Sequence, residues 1–267
     1  MKKYFSFFWV RFAAALQYRA AAAAGVCTQF AWGFLTLLLY RAFYRADPSA
    51  FPMEFSQLSS YVWLQQAFLS LFMLWFLEGD LFDAVTNGGV AYELCRPLSL
   101  YGMWFARTAA GRTAKAALRC VPVLAVALLL PQPYGLRLPA SPAAFLLFLA
   151  SLLLGLVIVC ALCMLIYGLT FYTMSPSGLR MFATSAVSIF SGELIPLSFL
   201  PEGLRQAAEL LPFAGIQDFP LRIWNGLFPV EEAAAPLALQ LFWAAVLTAA
   251  GALLFRRALR RVVVQGG

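Results

Sequence analysis

Between Arg137 and Arg180 the chain carries no Asp, Glu, Lys or Arg, a charge-free run of 42 residues that includes LLLGLVIVCALCMLIYGL. A bilayer-spanning helix needs about 20 mostly apolar residues, and in lipid every backbone polar group has to be satisfied within the segment. The run is therefore read as one long membrane helix over residues 142–173. The rest of the sequence agrees. The apolar set makes up 63% of 267 residues and charged residues only 12%, against about 25% charged in an ordinary soluble domain. A disordered chain is excluded, because such chains are polar. A soluble enzyme is excluded too, since so few charges could not cover its surface.

Applied along the chain, the same criterion gives an all-α polytopic membrane protein with six spans. They are placed at about 20–40, 55–77, 109–130, 142–173, 181–200 and 233–255. No tandem repeat and no linker for a second soluble domain is visible, so residues 1–267 are read as a single membrane domain. Six spans put both termini on one side. Lys and Arg favour cytoplasmic flanks. With the termini inside, 14 cations lie inside and five outside (Arg41, Arg45, Arg137, Arg205 and Arg222). The net charge of +7 thus reports topology and contact with anionic lipid, not a nucleic-acid partner.

Several chemistries are closed to this chain. It has no histidine, so Ser–His–Asp and Cys–His catalysis and His-based metal sites are absent. Its three lysines, Lys2, Lys3 and Lys115, do not follow glycine, so it has no phosphate-cradling loop of the G-x-x-x-x-G-K-[ST] type. Cys160 and Cys163 have C-x-x-C spacing inside an apolar run with no partner pair. Packing is the expected role for them, and no metal site is expected.

Residues 1–19 predict an amphipathic helix in the inner interface. Phe5, Phe8, Trp9, Phe12 and Leu16 recur at helical spacing, with Lys3, Ser6, Arg11 and Gln17 opposite. The segment joining spans two and three, residues 78–107, is far longer than the usual helix–helix connection of about 2–8 residues. Its acids Glu78, Asp80 and Asp83 sit at a membrane exit, Asn87–Gly88–Gly89 is a turn signal, and Pro97 bars a straight helix. A short helix, a turn and an extended piece pointing away from the bilayer are expected, as a docking element for a cytoplasmic partner.

Span three opens with Arg112, Lys115 and Arg119 on one helical face. They are read either as snorkelling to headgroups or as lining an inward-facing vestibule. In span five, Glu193 lies about 18 Å from Met181 at 1.5 Å per residue, past the middle of the bilayer. An acid at that depth is a functional candidate, with capping of a helix break as the structural alternative. Gly192 and Pro196 flank it and are expected to break the helix. Residues 201–231 are too apolar for a free loop and too punctuated by Pro201, Pro212, Pro220 and Pro229 for a span. They are expected to form outer re-entrant helices, anchored by Trp224.

The order of these parts, the segment E-G-D-L…N-G-G-V-A-Y-E-L-C-R-P-L-S and the stretch S-G-E-L-I-P-L-S-F-L-P…L-P-F…F-P…W-N-G resemble the permease subunits of bacterial type-2 ATP-binding-cassette (ABC) exporters. The likeness is to the branch of about 260 residues often encoded as paired permeases. It covers essentially the whole chain. It implies a permease that pairs with a second copy or a related permease, in a bacterial inner membrane, and that seats on separate ATPase subunits carrying ATP and Mg. No cofactor is then expected on this chain. Residues 78–100 would be the coupling region, with Glu78, Asp83, Asn87, Gly88, Gly89, Glu93, Arg96 and Pro97 as its contacts. The first, second and fifth spans would line the substrate path, through Gln29, Trp32, Gln65, Gln66, Ser188, Glu193 and Pro196. Substrate identity is not legible from the resemblance.

Two rival readings remain at this stage. A stand-alone carrier or channel could use Glu193 as a relay, but no inverted repeat is evident. An intramembrane enzyme lacks any evident catalytic constellation.

Overall fold

In the computed structural model, described for residues 2–173 and 175–261, every element is helical. The whole-chain reading of 1–267 also takes in Met1, Met174 and 262–267, which lie outside the described residues. Twelve α-helices follow one another: α1 (Lys2–Ala15), α2 (Arg19–Ala46), α3 (Phe55–Ala67), α4 (Leu69–Phe72), α5 (Gly79–Thr86), α6 (Val90–Leu94), α7 (Leu100–Leu129), α8 (Pro142–Thr173), α9 (Pro176–Phe190), α10 (Glu202–Leu210), α11 (Asp218–Trp224) and α12 (Ala234–Leu259).

Helix α8 is the axis. Helices α4, α5, α7, α9, α11 and α12 all pack on it, which explains why its sequence shows no polar stripe. Its start is encoded locally. Pro142 occupies the first helical position, and Ser141 Oγ accepts the Ala144 N–H at 3.1 Å. Near its other end, the Trp104 ring of α7 lies 5.9 Å from Tyr167, 6.3 Å from Phe171 and 5.6 Å from Phe255 of α12. Lipid tails are as apolar as these side chains, so aromatic contact and close packing hold α7, α8 and α12 together here. Ser151 and Gln240 tie α8 to α12 deeper in: Ser151 Oγ donates to Gln240 Oε1 at 2.8 Å, and Gln240 Nε2 donates to the carbonyls of Ser151 at 3.0 Å and Gly215 at 2.6 Å.

Among the described residues, three helices are long and apolar enough to cross a membrane: α2, α8 and α12. Three expected spans take another form. Helix α7 has 30 residues but carries four cations, Arg107, Arg112, Lys115 and Arg119. It begins nine residues before the expected start, because Ser99 Oγ caps it by accepting the Gly102 N–H at 3.3 Å.

The second expected span is not one helix. It breaks at Phe68, resumes as the single turn of α4, and runs without helix from Met73 to Glu78. The fifth is shorter than expected, because α9 stops at Phe190 after 15 residues. Ser191 to Pro196 then form a bend with Gly192 at φ +83°. The break expected around Gly192 is therefore present. A side chain there would strain the backbone and would bring a Cβ to 2.5 Å from the Tyr61 hydroxyl.

Helix α1 packs along α7, with Tyr4 accepting the Ser99 N–H at 3.0 Å. Phe5 and Trp9 point outward, while Arg11, expected on the polar side, turns toward α7.

Candidate functional site

Two regions gather the sequence-derived candidates. The first is the bend between α4 and α7. Glu78 leaves the broken second span and pairs with Arg107 Nε at 2.5 Å, while Asp80 pairs with the same guanidinium. The Glu78 backbone N–H donates to the Tyr167 hydroxyl of α8 at 2.8 Å. The bend is thus fastened at its Glu78 end to α7 and α8. From there α5 buries Leu81, Phe82 and Val85 against α8 and exposes Asp83. Asn87 ends α5, its N–H donating to the Asp83 carbonyl at 2.9 Å.

Gly88 turns the chain with φ +75° and nothing within 4 Å of where a Cβ would stand. The left-handed conformation, not crowding, is what calls for glycine there. The expected extended piece is instead the short helix α6, which buries Val90 and presents Tyr92, 83% exposed, and Leu94 outward. Glu93 lies 3.6 Å from Arg96, and Arg96 and Pro97 are exposed. Beside the bend, outside the spans, hydrogen bonding to Ser99 holds the Tyr4 phenol below its ordinary pKa.

The second region surrounds the break after α9. Broken helix in an apolar setting leaves carbonyls that protein must satisfy. Gln65 Nε2 donates to the Glu193 carbonyl at 2.9 Å, while Gln217 Nε2 and the Tyr61 hydroxyl both donate to the Gly192 carbonyl at 3.1 Å. The Glu193 carboxylate accepts from Ser188 Oγ at 2.7 Å. Gln65, Ser188 and Glu193 are therefore brought together, with Pro196 buried alongside.

The remaining candidates lie apart from that group. Gln66 faces α2, where its Cγ lies 3.4 Å from the position of a Cβ on Gly33. Gln29 is buried with both amide atoms unpartnered. Trp32 is 65% exposed on the outer face of α2.

Sequence reasoning missed the hub of this region. Asp218, 0% exposed, accepts from Tyr61 at 3.2 Å and from the Leu197 N–H at 3.3 Å, and its other oxygen lies 3.3 Å from Arg222 Nη1. Arg222 also reaches Glu209 at 2.5 Å and covers the Phe228 ring at 3.9 Å. The only local signal was the i, i+4 spacing of an acid and a base within an otherwise apolar stretch.

Span three was also read incompletely. Arg112 is 2% exposed and neither snorkels nor lines a vestibule. It donates to the carbonyls of Ser70 at 3.0 Å and Met73 at 2.8 Å, and to Cys163 Sγ at 3.4 Å. It caps the broken second span. Cys160 and Cys163 are buried free thiols, and among the described residues no cluster of metal-ligating side chains occurs.

A helical membrane core with one oversized fastened bend and two interrupted segments invites comparison with known families. Residues 30–266 match the family described as ABC-2 family transporter protein. The chain belongs to that family. It is a multi-pass integral membrane protein with the role of a transporter permease, of a family whose members partner ABC ATPase subunits in general. Both regions above fall within the matched residues, whereas α1 precedes them. No match is found among curated proteins.

Proposed function

We propose that this ABC-2 permease is the membrane-spanning half of an ATP-driven exporter of a bacterial inner membrane, with cytoplasmic termini, six spans and outer re-entrant segments formed by α10 and α11. It has no ATPase site of its own, binds no cofactor, and draws its energy from separate subunits that carry ATP and Mg. The α5–α6 bend carries this reading. It exposes Asp83, Tyr92, Leu94 and Arg96, yet it is anchored through Glu78 to α7 and α8. A plain loop needs neither property; a lever needs both.

A second permease, identical or related, would cover α9. Of its 15 residues only Val187 is buried, and Met181 and Phe182 stand 72% and 78% exposed. Closure of paired ATPases beneath the bends would push them together and rock α5 against α8. That motion would be a rigid-body step between two packings. The weak points of the spans, at Phe68 and Gly192, are where the path would open, with Gln65, Ser188 and Glu193 at the gate.

Co-purification tests the coupling. Replacing Gly88 and Gly89 with valine and Arg96 with glutamate should leave membrane insertion intact and abolish recovery of a co-expressed partner ABC ATPase. Undiminished recovery would place the docking surface elsewhere. Transport by the purified permease alone in liposomes would refute the reading altogether.

A further inference from the structure

The end of α1, the start of α2 and the middle of α7 line a cavity of about 350 Å³, bounded on one side by the Glu78–Arg107 pair that anchors the bend. Its charged lining is Arg11, Arg107, Lys115 and Arg119 against the single acid Glu78. Glu78 is committed to Arg107, and so is Asp80. Among the described residues no carboxylate lies within ion-pair distance of Arg11, Lys115 or Arg119.

Cations at membrane depth are costly without a counter-charge. Two of these lean on aromatic faces: Arg11 lies 5.4 Å from the Phe7 ring centroid and Lys115 lies 5.2 Å from that of Phe76. Arg119 has no such support. Its Nε is buried with no hydrogen-bond partner, although α2 makes room for the group. A Cβ on Gly25 would stand 2.5 Å from the guanidinium carbon. Helical side chains lean toward the N-terminus of their helix, so Lys115 and Arg119 tip back toward Arg107 and the mouth at α1. The other walls are apolar, chiefly alanines of α1 and α2 and Leu118.

A fork of guanidinium donors beside a compact ammonium suits a tetrahedral oxyanion, and the apolar walls suit a hydrocarbon stem. We propose that this cavity binds the phosphate-bearing head of an anionic amphiphile entering between α1 and α7. Arg11 and the rest of α1 precede the residues matched to the family. The proposal is independent of ATPase coupling, since binding is measured without the partner.

The experiment is native mass spectrometry of the purified full chain with phosphatidylglycerol and phosphatidylcholine of matched acyl chains, in equal amounts. Wild type should retain phosphatidylglycerol preferentially. Lys115→Gln and Arg119→Gln should each reduce that retention about fivefold, as expected for removing one cation near anionic headgroups. Arg119→Lys should keep most of it. Inorganic phosphate at millimolar concentration separates the two sources. If it leaves lipid retention unchanged, the occupant is a lipid headgroup. If it displaces the lipid and protects wild type but not the glutamine variants against heating, the occupant is soluble phosphate.

No preference in wild type together with no phosphate protection would overturn the proposal. So would a preference that both glutamine variants retain in full. Should those variants fail to fold, phosphatidylglycerol with a photoreactive head decides on the unaltered chain. Adducts within 11–22 and 111–119 support the site, and adducts confined elsewhere refute it.

Discussion

The side-chain amide of Gln65 donates to the backbone carbonyl of Glu193 at 2.9 Å, joining the two segments that lose helical continuity. Gln65 stands three residues before the break at Phe68, and Glu193 two residues after Ser191. Each break exposes backbone that lipid cannot satisfy, and the contact fastens one to the other. Gln65→Leu keeps the bulk and removes the donor. An unsatisfied buried carbonyl costs about 1–3 kcal/mol. The variant is expected to lose stability by that amount in thermal unfolding of the reconstituted complex, and Gln65→Asn, too short to reach, should behave alike.

Arg112 fastens the other side of the second span. Its guanidinium serves two carbonyls within 3.0 Å, those of Ser70 and Met73, and hydrogen bonds to a charged donor contribute about 1.5–3 kcal/mol each. Arg112→Met should lower the yield of monodisperse protein severely. Arg112→Lys should recover only part of it, because an ammonium has no second nitrogen to take the place of Nη2, which reaches Cys163 Sγ at 3.4 Å. Full recovery by lysine would show that charge alone matters there.

These two residues also mark where sequence reading stops. The α8 boundaries at Pro142 and Thr173 were legible because an unbroken apolar run, a proline and a capping serine all coincide there. The bend at Asn87–Gly88 was legible because turn chemistry is local. Hydropathy over 55–77 reports depth and not continuity, so nothing in it shows the break at Phe68, which depends on Arg112 of a distant helix supplying donors. Gly192 and Pro196 did announce the second break. Its stabilising partners, Tyr61, Gln217 and Asp218, come from segments 131, 25 and 26 residues away from Gly192, and long-range pairing of that kind leaves no periodic trace.

Glu193 and Ser188 lie 2.7 Å apart, hydroxyl to carboxylate, on either side of the end of α9. A hydrogen bond to a charged acceptor is worth about 1.5–3 kcal/mol. If that bond holds one of two gate states, weakening it shifts their ratio by on the order of tenfold or more. Glu193→Gln keeps size and acceptor but removes charge. Expression should be unchanged, while substrate-stimulated ATPase activity of the assembled exporter changes. A fall in expression with activity per molecule intact would assign the acid to helix capping alone.

The outer cluster calls for a cycle, not a single substitution. Asp218 is fully buried, and among the described residues Arg222 is the only cation within ion-pair distance, at 3.3 Å. Removing one partner of a buried pair strands the other and typically costs about 3–5 kcal/mol. Arg222→Met is therefore expected to destabilise the protein by that order. Asp218→Asn should cost less, since the amide oxygen still accepts from Tyr61 and from the Leu197 N–H. Glu209 complicates the balance, because Arg222 holds it as well, at 2.5 Å. Its side chain is 25% exposed, so water can take over that partner in a way it cannot for Asp218. The double variant should then be more stable than Arg222→Met alone, the sign that identifies a stranded charge and not lost packing against Phe228. Thermal unfolding of the four proteins in one lipid composition measures it. If the two losses simply add, the pair is not coupled and Arg222 acts through its ring contact.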